Sequence, residues 1–593
     1  MFTTRPELQG TFGMVTSTHW LASAVGMSVL ERGGNAADAA VATGFVLQVV
    51  EPHLNGPGGD VPILFAAPSG AVDVYCGQGP TPAAASIEHY RDLGLDLVPG
   101  TGLLAAVVPG AFGAWTLLLE REGTWRLCDV LEPAIAYAEH GFPLLPTTAA
   151  VLQRVERLFR DEWPTSAATW LTSTGVPAAG GLWRTPALAE TYRRVVQEAE
   201  AAASGREEQV AAARDVFYRG FVAERIADFC AGSDVMDTSG RRHRGLLDAD
   251  DLARWVPTVE RPVSVDHAGV TVHKTGPWGQ GPVLLQALRL LDGSDLRAMG
   301  HLSADWVHTV VECEKLAFAD REAWYGDPAH VDVPLDALLS TAYADERRAL
   351  VAAQASYDLR PGSPGGRLPR LPRSSGGRTP SVTADGAGEP TVQGDGSTRG
   401  DTCHLDVVDR DGRMVSATPS GGWLQSSPTI PGLGFCLGTR AQMLWLEPGL
   451  ASSLAGGVRP RTTLTPSLAT RDGVPWLAFG TPGGDSQDQW SLQLLLTVLH
   501  TDLGLQAAID APMFATEHMP SSFWPREASP GSLVVEGRLA SDVVTGLRAR
   551  GHDVTVGGDW SQGRLSAVGR DAATGLLRAA ANPRGAQGYA VGR

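Results

Sequence analysis

Thr402 stands where a chemical step could begin. It follows a tract, Arg360 to Gly400, dominated by Gly, Pro, Ser, Thr and Arg, and it sits in Gly400-Asp401-Thr402-Cys403-His404 just before a strand-like run. A hydroxyl residue at the start of a strand, behind a segment that looks cleavable, suits an enzyme whose nucleophile becomes a new N-terminus. Thr402 Oγ1 would attack the Asp401 carbonyl, the acyl group would shift from N to O, and water would free the threonine. The liberated α-amine has an ordinary pKa of about 8. It can then serve as general base for its own hydroxyl. From spacing alone, a threonine opening a strand is most often only that.

The elements around this residue are legible in the pattern. Thr18 to Leu30 has helical spacing and stops at Gly33-Gly34; Ala36 to Val49 is apolar all round and must lie buried between layers. Asp129 to about Ala355 reads as mostly helical. Beyond the Gly/Pro-rich tract, DTCHLDVVDRDGRMVSATPSG reads as a hairpin turning at Asp411-Gly412. RTTLTPSLATRDGVPWLAFGTPGG repeats that format at Asp472-Gly473, and helices follow at Asp488–Asp502 and Leu505–Asp510. Buried helices combined with antiparallel hairpins imply layered packing rather than βαβ winding. Strand alternation puts His404 on the same face as Thr402, as a supporting residue, and Cys403 on the opposite, buried face. Ser486 and Asp488 are expected to cap the helix they open, and His53 to be structural.

Composition narrows the function classes. Hydrophobic residues make up 43% of the 593 and charged residues 19%, which excludes global disorder. A net charge of −17 argues against nucleic acid as a partner. No apolar run reaches the length of a membrane span and the N-terminus lacks a signal-peptide pattern, so a soluble cytoplasmic protein is expected, with no membrane partner. Lys274 and Lys315 are the only lysines, an arginine bias that fits a GC-rich genome. The six cysteines are scattered without C-x-x-C or zinc spacing, so no metal and no cofactor is expected.

Several segments together resemble the γ-glutamyltransferase family of N-terminal nucleophile hydrolases. They are GGNAADAAVATGFVLQVVEPHLNGPGGD (33–60), VPGAFGAW (108–115), FADREAWYGDP (318–328), DTCHLDVVDRDGRMVSATPSG (401–421), RPRTTLTPSL (459–468), GTPGGD (480–485) and AIDAPMF (508–514). The resemblance implies an α+β, four-layer αββα sandwich. It implies autocleavage between Asp401 and Thr402 into a large subunit, 1–401, whose residues 360–400 are a flexible linker, and a small catalytic subunit, 402–593. The two would stay interlocked, and a homodimer of the processed unit is compatible with this. It places Thr402 as the processed nucleophile and Ser420 as the hydroxyl that tunes the freed amine, with Thr418 nearby. Thr462 and Thr463 fall on a substrate-contacting hydroxyl pair, and Gly483 and Gly484 on the oxyanion hole, where N–H groups without side chains can approach an anionic oxygen.

Departures from the family pattern carry equal weight. Ile87 stands where glutamyl-binding members hold the substrate carboxylate with an arginine. After Gln442-Met443, Leu444 and Trp445 stand where acidic residues hold the amine, and Gly422 replaces an asparagine. What remains for a small-molecule substrate is Gln442, Arg440 and Arg461, with Trp423 and Trp445 as apolar walls. The expected activity is cleavage of an acyl amide of a non-γ-glutamyl substrate through an acyl-enzyme. Three alternatives stay open: a carbon–carbon bond hydrolase of 4-alkylproline-like natural-product biosynthesis, a γ-glutamyl hydrolase or transferase, and a non-catalytic binding relative.

Overall fold

The computed structural model describes residues 2–373, 392–395, 402–586 and 588–593. Asp401 and most of the Gly/Pro-rich tract lie outside these residues. The helix Ala36–Val50 begins at Asn35, whose side chain accepts from the Ala37 and Asp38 N–H groups while Asp38 reaches back to the Asn35 N–H at 2.9 Å. This reciprocal cap satisfies donors that the first turn leaves free. Every residue of the helix is buried, as its all-round apolar sequence requires. The helix before it spans Trp20–Glu31 and is capped by His19, whose Nδ1 accepts from the Leu21 N–H.

Both expected hairpins form. Leu405–Asp409 pairs with Met414–Ala417, and Ser467–Arg471 with Val474–Gly480, all antiparallel. At the second turn Asp472 and Gly473 have φ of 51° and 76°, the left-handed pair that Asp-Gly supplies in a tight hairpin. Each hairpin lies inside a seven-stranded antiparallel sheet. One sheet runs Tyr589–Gly592, Gly13–Ser17, Leu405–Asp409, Met414–Ala417, Val61–Ala66, Val72–Gly77, Thr258–Glu260. The other runs Leu8–Gly10, Leu577–Ala581, Ser566–Arg570, Val474–Gly480, Ser467–Arg471, Val270–Lys274, Val263–His267.

The sheets face each other across Met14, Leu64, Val408, Met414, Leu468, Ala478 and Val568. The outer face of the first packs on Ala36–Val50 and its neighbouring helices; the outer face of the second packs on Pro282–Leu291, Ala304–Trp324 and Gln487–His500. This is the expected four-layer αββα sandwich. The region expected to be mostly helical also contributes three strands to the two large sheets, Thr258–Glu260, Val263–His267 and Val270–Lys274. These are strands of three to five residues, two of them at sheet edges, too short to interrupt a helical reading.

Two local expectations change. Ser486 makes no side-chain cap, and the buried Asp488 instead pairs with Lys274 Nζ at 3.0 Å and accepts from Thr465 Oγ1 at 2.9 Å. The first part of the tract after Arg360 is tied to the body. Arg360 reaches Glu312 at 3.2 Å, the Gly362 N–H donates to Asp320 at 2.7 Å and Arg370 Nη1 donates to Gly449 O at 3.1 Å. Further on, Val392 is fully buried and its carbonyl accepts from Arg154 Nη1 at 2.9 Å.

Burial holds several histidines neutral. His19, His53 and His552 are each pushed down to about 3, chiefly by desolvation. The unfolded chain takes up protons at these side chains below about pH 6.5, and the folded chain refuses them until about pH 3. Stability is therefore lost as pH falls through this window. The melting temperature is expected to decline steadily from pH 6.5 to 4 with net proton uptake on unfolding; a flat profile would contradict this assignment.

Candidate active site

Leu405–Asp409 is a central strand, and Leu405 faces Ala417, so Thr402 and Cys403 lie just past the hairpin's open end beside Pro419 and Ser420. The Cys403 N–H donates to Pro419 O at 3.0 Å. Thr402 is buried at 1% exposure, with Oγ1 3.3 Å from Ser420 Oγ. Alternation sorts the neighbours as expected. Cys403 points into the helical layer, where its thiol meets Glu51 Oε2 and Asn55 Nδ2, both at 3.1 Å. Burial, with Glu51 alongside, pushes that thiol well above its usual range. His53 is structural: Nδ1 pairs with Thr148 Oγ1 at 3.0 Å and its carbonyl accepts from Gln425.

His404 points between the sheets, closely packed on Gly480, where a Cβ would come within 2.4 Å of its ring. Its Nε2 is 2.9 Å from Asp406 Oδ1 and its Nδ1 is 2.9 Å from Thr418 Oγ1. Asp406 also accepts from Ser416 at 2.8 Å, Ser566 at 3.1 Å and Thr16 at 3.2 Å. With Nε2–H donated to the carboxylate, Nδ1 accepts from the Thr418 hydroxyl. The chain of hydrogen bonds therefore ends two residues from Ser420. Asp406 was not singled out in the sequence, although its two-residue spacing from His404 was the available signal.

Gly483 and Gly484 turn between Val474–Gly480 and the helix Gln487–His500 with φ of 136° and 55°. A Cβ on Gly483 would lie 2.2 Å from the Trp490 ring. Neither backbone N–H has a hydrogen-bond partner among the described residues. A cavity opens beside Gly483, bounded further by Ser486, Thr516, Ser521 and Phe523. Phe523 in turn packs on Trp423 and Met443.

Arg440, Trp423 and Thr462 come together around Asp60. Arg440 Nε is 3.0 and 3.2 Å from the two Asp60 oxygens, and the Thr462 hydroxyl bonds the same carboxylate. Burial raises the Asp60 carboxyl, while Arg440 and Thr462 pull it back. Asp60 pairs through its backbone with Ser420 in both directions, at 2.8 and 3.0 Å. The Arg440 guanidinium lies 5.4 Å from the centre of the Trp423 ring, and Trp423 is anchored by its indole N–H on Leu54 O. Thr463 Oγ1 is buried without a partner.

Arg461, Trp445 and Gln442 belong to a different environment. Arg461 Nη1 pairs with Glu322 at 2.7 Å and Nη2 reaches Ser522 Oγ at 3.1 Å. Glu322 also takes Arg321, and Arg321 pairs with Asp485. Burial works against ionisation of Glu322, but Arg461 and Arg321 hold its carboxyl below the usual range. Trp445 lies under Arg526, whose guanidinium is 3.9 Å from the ring centre and which burial lowers to about 9. The Gln442 amide is fully engaged, by Gly100 O, Thr439 Oγ1 and the Trp524 N–H. Asp60, Arg321, Glu322 and Asp485 all stood in matched segments without being assigned a place; Phe523 and Arg526 stood outside them and carried no signal.

The positions of the missing clamp are structurally clear. Leu444 is buried in one apolar cluster with Ala85, Tyr90, Leu104 and Val458, and Ile87 packs against the same cluster. One unlooked-for group lies apart from these residues: His308 and Glu312, one turn apart on a helix, meet His552, but Lys315 and Arg360 already occupy the Glu312 carboxylate.

The Gamma-glutamyltranspeptidase family profile matches residues 22–592. The chain belongs to this family. It is 31% identical to the oxamate amidohydrolase proenzyme of Klebsiella pneumoniae, over 98% of each chain. It is also 31% identical to the acylase ACY 1 proenzyme of a Pseudomonas strain, over 92% of this chain and 88% of that one. The solved structure of LmbA2991T421A superposes with a TM-score of 0.95 and 57% identity over the whole of both chains. The protein is accordingly an enzyme of the γ-glutamyltransferase-like N-terminal nucleophile hydrolases.

An unpaired ammonium and carboxylate in a largely dry site each cost about 1–3 kcal/mol. With Ile87 and Leu444 in an apolar cluster, γ-glutamyl-p-nitroanilide is expected to be hydrolysed at least about 100-fold less efficiently than by members with the clamp. A steady-state assay decides this, and comparable kcat/KM would show a rebuilt clamp.

Proposed function

We propose that the chain cleaves itself between Asp401 and Thr402 and then hydrolyses an acyl amide of a non-γ-glutamyl substrate through an ester on Thr402. The carrying observation is the contact of Thr402 Oγ1 with Ser420 Oγ at 3.3 Å, on a strand end that follows the cleavable tract. The freed amine takes the proton of Thr402 Oγ1 as that oxygen attacks the amide carbonyl, with Ser420 hydrogen-bonding the amine. The N–H groups of Gly483 and Gly484, which lack other partners among the described residues, face the developing oxyanion; one such donor typically accounts for 100-fold or more in rate, on the order of 3 kcal/mol. The C–N bond breaks with the proton passing to the leaving amine. Water then attacks the ester, yielding the acid and restoring the hydroxyl. Support for an amide substrate comes from the acylase and oxamate amidohydrolase relatives.

Self-cleavage has a direct test. Purified protein is expected to run as two fragments, the smaller reading Thr-Cys-His-Leu by N-terminal sequencing, and Thr402→Ala to remain uncut. A fully active single chain would defeat both the processing and the role of the amine.

The carbon–carbon hydrolase reading is favoured by one observation. Three buried arginines, Arg321, Arg461 and Arg526, surround Glu322 and Asp485, which adjoins Gly484, and among the described residues Arg526 Nε and Nη2 have no partner. Attack on a ketone gives the same tetrahedral oxyanion, and an excess positive charge would favour departure of carbon as an enolate. Mass spectrometry of turnover with a 1,3-dicarbonyl substrate would show the two C–C cleavage products; cleavage of amides alone excludes this reading.

A further inference from the structure

We infer that Arg440 is a carboxylate-binding residue, so that the substrate's acyl part carries a carboxylate. This rests on the reading that Thr402 takes the acyl group. Arg440 is 2% exposed, yet only its Nε is engaged, by Asp60; among the described residues Nη1 and Nη2 have no partner. A buried guanidinium with an unpartnered two-nitrogen edge can only donate, and its planar fork matches the two oxygens of a carboxylate. The other unpartnered group nearby, Thr463 Oγ1, also supplies a donor, next in sequence to the Thr462 that bonds Asp60.

The edge is held in place before anything binds. Asp60 grips the guanidinium from one side and Trp423 lies against it. Asp60 is tied through its backbone to Ser420, whose hydroxyl touches Thr402, so three successive contacts link the unpartnered edge to the reacting oxygen. Arg461, the other candidate in the sequence, already has both terminal nitrogens engaged by Glu322 and Ser522. The tertiary structure thus separates two arginines that the sequence left equal.

The test uses calorimetric binding to the processed wild-type protein, with oxamate against its uncharged isostere oxamide, and succinamate against succinamide for a longer acyl group. In at least one pair the carboxylate is expected to bind about 30-fold more tightly or better. Arg440→Gln should remove that preference by weakening the carboxylate alone. Arg440→Lys, which keeps the charge but loses the fork, should retain only part of it. Equal binding within both pairs, absence of binding by either carboxylate, or an undiminished preference in Arg440→Gln overturns the inference. If Arg440→Gln fails to fold, Arg440→Lys decides, and a full preference there counts against it. Binding is read without turnover, so a protein that binds oxamate through Arg440 but never acylates Thr402 defeats the proposed function and leaves this site standing. An ester on Thr402 without a carboxylate preference does the reverse.

Discussion

The strand Leu405–Asp409 has a buried layer against each of its faces, and its two-residue repeat decides what surrounds Thr402. Leu405 and Val407 fill the helical layer; Val408 enters the core between the sheets. Between the sheets there is also His404, and a buried imidazole needs partners. Asp406, on the same face two residues on, supplies one and Thr418 the other. The hydroxyls of Thr16, Ser416 and Ser566, from three different strands, complete Asp406. One buried polar chain thus ties both sheets together at the end of the strand where Thr402 emerges. A slip of one residue in this register would turn His404 into the helical layer and Cys403 into the sheet interface.

Buried charge is handled in two contrasting ways. In the outer layer, Lys274 is closed off by Asp488, Thr465 and Ser467, and Asp320 by Arg347, Tyr343, Gln286 and Gly362. Some buried arginines, by contrast, are only partly closed off. Arg440, Arg461 and Arg526 each retain at least one nitrogen without a partner. Leaving donors unmade in a buried place is costly, and such sites are where ligands complete the hydrogen bonding.

A family relationship over nearly the whole chain was legible because its segments are dictated by local physics. Glycines at 33–34, 58–59 and 483–484 mark turns or close approaches of backbone to backbone or ring, and the apolar stretch 36–50 has no conformation but a buried helix. The two Asp-Gly hairpins and the face assignments of Cys403 and His404 followed from turn chemistry and alternation. The short strands between 258 and 274 did not show, since three to five residues carry too little periodicity to outweigh long helices on either side.

The sequence by itself determined the buried helix, the two Asp-Gly hairpins and the proximity of Thr402 to Ser420 across the first of them, because each depends on residues close together in the chain, and its motifs carried the family resemblance from which the layer order followed. Only the tertiary structure decided how the arginines divide. Arg440 and Arg461 are equivalent as residue types, and what separates them is which carboxylates other strands and helices deliver: Asp60 to one nitrogen of the first, Glu322 with Ser522 to two nitrogens of the second. The same reason explains why Ser486 and Asp488 do not cap their helix. Lys274 arrives from a strand more than two hundred residues away, and a full ion pair in a dry interior outweighs a hydrogen bond to a backbone N–H.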